Sequence, residues 1–315
     1  MRELLPINLS ILKQLREELN LSIFDVAYKM NKEPEVIESW ESGGGSPTYI
    51  QLEILAQKVY KKPIAVFFMP NLPYSVDPDT DFRSMPDELN KSLPASMIYL
   101  YRKAKAMQLN LMELYDINNH MQEFLNSFST AGKMSIAEIC EILRSHLDVS
   151  LNEQIQWKNA DLALKNWRKS LENIGITIFK DAFRNDDYSG FCLYDENYPL
   201  IYLNNSMPKT RQIFTLFHEI GHLIYRNGGI DINDKLIFNR YNITFNQIEI
   251  KCNKLANEFL LPDLAFSAED LPFSESNVEI LATKFSVSRE LVLRKYLDYN
   301  LIDEKIYTSV MSSLT

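Results

Sequence analysis

The chain has 315 residues, 42 acidic against 33 basic side chains, a formal net charge of −9 and 46% hydrophobic residues. That length suits two domains with a connecting region, and the acid excess argues against a chain that grips polyanions over its whole surface. Three cysteines without metal-like or framework spacing, no apolar run behind basic residues at the N-terminus, and no stretch near the ~20 apolar residues of a membrane span exclude a disulfide scaffold and point to the cytoplasm.

From residue 7 to about 70, apolar residues recur at helical spacing: Ile11, Leu12 and Leu15, then Phe24, Val26, Ala27 and Met30, then Val36, Ile37 and Trp40, then Leu52, Leu55, Ala56 and Val59. Ser22 and Glu33 stand where helices start, and Asn31 tolerates the left-handed turn between two brief helices. Ser42 to Pro47 form a loop, with Pro47 suited to open the next helix. This segment, with its W-E-x-G-x-x-x-P stretch, resembles the XRE, or Cro/C1-type, helix-turn-helix family, whose third helix reads the major groove. The copy departs from that family at the expected DNA contacts: Ile23 replaces a usual Gln, and Glu33, Glu35, Glu38 and Glu41 put carboxylates where phosphates would lie. DNA contact through residues 1–71 is therefore one use. Its rival is protein contact, with another helix-turn-helix protein or with a second copy as a homodimer.

Residues 72–85 read as a Pro-, Asp- and Ser-rich linker, in which Asp81-Phe82-Arg83 resembles a short signature of fused members of the family named below. Leu93 to about Leu171 is helical, anchored by Met97, Leu100, Ala104, Leu109, Leu111 and Leu114; His120 and His146 read as surface or hydrogen-bonded histidines. Three short β-branched and aromatic runs, 174–180, 190–194 and 198–204, predict a small antiparallel sheet. Within it, Ile201 to Asn204 is the expected edge strand for an extended substrate.

The next helix carries His218-Glu219-Ile220-Gly221-His222, an HExxH motif in an apolar surround. Imidazoles at i and i+4 lie one above the other, the placement that holds one zinc ion, and Glu219 between them can act as base on a water. A hydrolase needs a third protein ligand. The helical run from Gln247 to Pro262 offers two carboxylates, Glu249 and Glu258. Glu249 has Asn253 one turn later, suited to bond the outer nitrogen of a ligating His. Glu258, just before the helix end, is its competitor. Tyr225, Tyr241 and Arg226 all qualify as oxyanion stabilisers, and the sequence does not choose among them.

FTLFHEIGHLIY followed by E-x-x-C-N-x-L-A-N-E-F-L-L-P resembles the ImmA/IrrE family of intracellular zinc metallopeptidases over roughly residues 175–265. The resemblance implies metal ligands His218, His222 and Glu249, Glu219 as catalytic base, Asn253 behind a ligand, and Pro262 at the helix end. Cys252 stands where that family usually has Ala, and Leu255 where it has Phe. The tail from Val278 to Ile306 reads as two more short helices, with Ser288 as a cap.

The fold expected is α+β and mostly helical. Residues 1–71 form an all-α helix-turn-helix domain, 72–160 a linker and helical region, 161–266 a zincin-like core with a small antiparallel sheet and the HExxH helix, and 267–315 a helical extension. The function implied is a cytoplasmic zinc (Zn2+) endopeptidase that cleaves a repressor or antitoxin-like protein and so controls transcription, for example after stress. The alternative is an XRE-type regulator or toxin–antitoxin component whose metal domain senses a ligand without cutting.

Overall fold

The computed structural model describes residues 7–72, 93–115, 119–157, 159–226, 229–232 and 243–314. The linker read at 72–85, with Asp81-Phe82-Arg83, lies almost wholly outside them, as does Tyr241, and so does the side chain of His120. The described residues fall into two compact units, 7–72 with 93–105, and 106–314. No helix among them is long and apolar enough to cross a membrane.

The first unit is all helical: α1 (Ser10–Glu18), α2 (Ile23–Met30), α3 (Pro34–Glu41) and α4 (Tyr49–Ile54), the last running on as a π-helix over Leu55–Tyr60. Local chemistry sets these boundaries. Ser22 and Asp25 form a capping box that starts α2, and Asn31 ends it at φ 50°, ψ 55°. Pro34, at the first position of α3, has no N–H to leave unpaired. Pro47 does not open α4; Thr48 caps that helix through a box with Gln51, which places Pro47 one residue outside. Inward residues such as Ile11, Val26, Ile37, Trp40 and Leu52 make the core. A half-buried Arg16–Glu41 pair, with contacts of 2.8 and 3.0 Å, fastens α1 to α3.

Helix α5 (Ala95–Leu114) begins in the first unit and ends in the second. The second unit continues with α6 (Asn119–Ser127), α7 (Ile136–Leu147), α8 (Leu151–Gln156) and α9 (Ala160–Asn173). Strands β1 (Thr177–Asp181), β2 (Tyr188–Leu193) and β3 (Leu200–Asn204) lead to α10 (Lys209–Ile224). Strand β4 (Gly229–Ile232), α11 (Ile243–Leu260), α12 (Asp263–Ala268), α13 (Glu275–Phe285), α14 (Arg289–Asp298) and α15 (Glu304–Leu314) complete it. Ser288 caps α14 through the Leu291 N–H. The two short helices expected between Val278 and Ile306 are α13 and α14, and α15 starts at Glu304. One hydrophobic cluster runs from Met121 in α6 to Ile302 beyond α14.

The sheet differs from expectation in two ways. Its order is β1-β3-β2-β4, and β1 pairs with β3 in parallel, Thr177 opposite Leu200, so the sheet is mixed and not antiparallel. Residues 201–204 are not an edge, because β3 is paired on both sides. The physical reason is visible in the composition of the strand. Leu200, Ile201, Tyr202, Leu203 and Asn204 are all buried, a continuous run without polar alternation, which marks a strand covered on both faces.

Candidate metal centre

Helix α10 lies across the sheet with its whole second half buried. Gly190 in β2 permits this contact: a Cβ there would stand 2.6 Å from the Thr215 methyl and 3.0 Å from the Tyr202 carbonyl oxygen. On the other side of α10 runs α11. Gly221, inside the HExxH motif, lets the two helices approach, since a Cβ on it would meet the Cys252 Sγ at 3.0 Å and the Cys252 Cα at 3.1 Å. In the sequence Gly221 fills one of the two unspecified positions of the HExxH motif, and Cys252 stands only as a departure from the usual Ala. Their contact sets the distance between the two helices that carry the polar groups.

Across that narrow interface His218, His222 and Glu249 meet. Each offers one ligand atom, all three lie within 4.8 Å of one another, and all three residues are buried. The Nε2 atoms of the two rings are 3.1 Å apart. Glu249 Oε2 is 3.2 Å from His218 Nε2, and Glu249 Oε1 is 3.2 Å from His222 Nε2. His218 turns its other nitrogen, Nδ1, to Asn253 Oδ1 at 3.0 Å. With Nδ1 turned to the amide oxygen, Nε2 is the ring nitrogen that faces Glu249 and the second ring.

These residues fit a tetrahedral cation. Metal–ligand bonds of about 2.0–2.2 Å set neighbouring donors about 3.4 Å apart, close to the observed spacing. Glu249 Oε1 is buried and makes no aligned hydrogen bond, so it has coordination capacity to spare. Both histidines fall in the last two turns of α10, where the helix dipole favours positive charge. Burial pulls the His222 ring down, but the neighbouring Cys252 sulfur and Glu249 carboxylate outweigh it and lift the ring well above 6.5. Burial alone would raise Glu249; the charge of His222 and the contacts with both rings outweigh it and hold the carboxyl far below its ordinary range.

Glu219 occupies the helix position after His218 and is fully buried. Glu258 faces away from this chemistry: its carboxylate accepts from Lys295 Nζ at 3.0 Å and from the Asp263 N–H, tying the end of α11 to α14. Tyr225 is half-buried with Lys251 Nζ over its ring at 5.6 Å, and burial, aided by Cys252 and Cys140, pushes its hydroxyl up to about 12. His146 is not near the centre; its Nε2 bonds Ser127 Oγ at 2.9 Å.

The centre rests on an aromatic stack that sequence reasoning did not find. Phe217, next to His218, stacks on Phe259 of α11 with ring centroids 4.3 Å apart, and Trp167 of α9 meets Phe217 edge-on at 4.9 Å. Arg144 of α7 lies over Phe259 at 4.4 Å and donates to the Phe259 carbonyl at 2.5 Å and to Gln154 Oε1 at 2.8 Å. Gln154 passes the clamp on to the carbonyls of Leu260 and Phe285. The C-terminal end of α11 is thus satisfied by side chains from α7 and α8.

Comparison with known proteins agrees with this geometry. Residues 171–296 match the Peptidase_M78 family model, described as the IrrE N-terminal-like domain. The chain is also 26% identical over 191 residues to the Oligoendopeptidase F homolog of Borreliella burgdorferi (strain ATCC 35210 / DSM 4680 / CIP 102532 / B31). That alignment takes in 60% of this chain but 29% of the relative, so the chain spans under a third of the relative's length. No solved structure matches. The family match begins at the end of α9 and runs into α14, beyond the 175–265 range of the motif resemblance. Together, the matched family and the buried His–His–Glu group support a metallopeptidase domain within residues 171–296.

Proposed function

We propose that the chain is a zinc-dependent endopeptidase joined to an N-terminal helix-turn-helix module, residues 1–71, and that it acts in the cytoplasm on a repressor or antitoxin-like regulator. The observation that carries the enzymatic part is the convergence of His218, His222 and Glu249 with Asn253 behind one ring. Two imidazoles and a carboxylate form the ligand set of catalytic zinc sites that keep a position for water. When bound, zinc supplies Lewis-acid chemistry, lowering the pKa of water toward neutrality and polarising a carbonyl.

The chain's own residues supply the rest. Asn253 fixes the His218 tautomer, so that Nε2 presents a lone pair. Glu249 contributes negative charge that offsets the cation. Glu219 takes the proton from water and hands it to the leaving amine, a role that removes the need for a second acid. The three cysteines are buried and none is in a disulfide, which fits a reducing compartment.

The test is Glu219→Gln. This variant is expected to hold zinc stoichiometrically and to lose peptide hydrolysis by about 10²–10⁴-fold. The assay pairs metal analysis with cleavage of helix-turn-helix proteins encoded beside the gene. Turnover at the native rate would remove Glu219 from the mechanism. Zinc binding without cleavage of any neighbour by the native protein would favour the ligand-sensing alternative.

A further inference from the structure

Helix α2 turns Val26, Ala27 and Met30 inward and leaves Phe24 71% and Tyr28 89% exposed. These two aromatics are four residues apart, so they form one stripe on the outer face. Next to it in the fold, α3 turns Ile37 and Trp40 inward and presents Glu35 and Glu38, three apart, to solvent. Helix α4 opens with two more exposed apolar residues, Tyr49 and Ile50. Between residues 22 and 54 there are six acidic side chains, Asp25, Glu33, Glu35, Glu38, Glu41 and Glu53, and two basic ones, Lys29 and Lys32. Arg16 neutralises Glu41. The remaining acids are exposed.

We propose that the outer faces of α2 and α3 form a docking surface for a basic, apolar-striped protein helix. Aromatics this exposed at i and i+4 match the helix-in-groove mode of recognition, in which apolar anchors from one helix seat against another. The charge selects the occupant. Duplex DNA and anionic lipid would meet like charge at Glu33, Glu35 and Glu38. Base stacking on Phe24 or Tyr28 would need a cationic track for the backbone, which the acidic helix does not provide. A second copy would set acidic face against acidic face. A lysine- or arginine-flanked apolar helix satisfies both features at once. Proteins that grip phosphates carry such helices, so the partner class is a DNA-binding regulator. That last identification rests on the function proposed above, whereas the surface itself does not.

The experiment uses the full chain and two peptides, an amphipathic Leu/Lys helix and its Leu/Glu counterpart, together with a random duplex. Binding is followed by fluorescence anisotropy between about 50 and 200 mM salt. The Leu/Lys peptide is expected to bind, and the Leu/Glu peptide and the duplex are not. A Phe24→Ser/Tyr28→Ser double variant should weaken the Leu/Lys complex about tenfold or more. A Glu35→Gln/Glu38→Gln double variant should weaken it and flatten its salt dependence. All four positions are exposed, so unchanged circular dichroism and melting are expected in both variants. Zinc content is measured on the same samples, so a docking failure is separable from a failure of the metal centre. Duplex binding that the same substitutions abolish, no peptide binding, or peptide binding indifferent to both variants would each overturn the proposal.

Discussion

Asn253 shows how much one side chain can decide. Its amide oxygen sits 3.0 Å from His218 Nδ1, and Nε2 of the same ring is the nitrogen that faces Glu249. Asn253→Ala is expected to cost about 10–100-fold in zinc affinity, with folding little changed, because only the orienting bond is lost. Competition against a chromogenic chelator reads this directly, and an unaltered affinity would make the Asn–His bond incidental. Residues of this kind were legible in the sequence because chemistry and helical period constrain them together. A base between two histidines, and an amide one turn after an acid, are patterns that survive without coordinates. The roles of Gly221 and Cys252 were not legible. What makes Gly221 special is an atom 31 positions away in the chain.

At the level of elements, α10 and α11 act as the two jaws of the centre, and Gly221 sets their gap. Gly221→Ala would press a methyl group against Cys252, with its Cα at 3.1 Å, a contact tighter than most that real Cβ atoms make. The helices must then separate by a few tenths of an ångström. The expected result is a loss of about 1–3 kcal/mol in denaturant unfolding and weaker zinc binding. A variant as stable and as metal-avid as the parent would show that the approach is slack. The other end of α11 offers a second test. Arg144→Met keeps the apolar contact with Phe259 but leaves that residue's carbonyl without its donor, at a cost of about 1–3 kcal/mol. The sequence announced two of the helices through their caps: Ser22 and Ser288 both accept the expected N–H bond. It did not announce sheet order. Whether β1 lies beside β2 or beside β3 is settled by pairing across distant chain, and no local pattern encodes that choice.

For the molecule as a whole, protons and metal compete for one pocket. His222 is raised above its ordinary 6.5, so in the ligand-free fold its proton stabilises fully below about pH 6.5. That contribution fades as pH climbs through the higher folded value. Glu249 is displaced downward from 4.5, so its share is present above about pH 4.5 and is lost as acid titrates the carboxylate. The ligand-free pocket is therefore best satisfied at intermediate pH. Metal needs both rings unprotonated, so its affinity rises as pH passes upward through the His222 range. The zinc-induced rise in melting temperature should accordingly grow between about pH 6 and pH 8 and vanish with a chelator. A shift that shrank with rising pH would contradict His222 as a ligand. The change from helical pattern to apolar short runs near residue 174 anticipates β1, which starts at Thr177. The single core joining α6 to the last helices was not legible, since its members are scattered over almost two hundred positions.

The stack beneath the histidines also gives the protein an optical handle. Trp157 and Trp167 lie 4.7 Å apart, and Trp167 touches Phe217, the immediate neighbour of His218. The remaining tryptophan, Trp40, is buried in the N-terminal unit. Replacing Trp40 with Phe would therefore leave an intrinsic emission signal confined to the half of the chain that carries the donors. Loss of order there could be timed by fluorescence without an added dye.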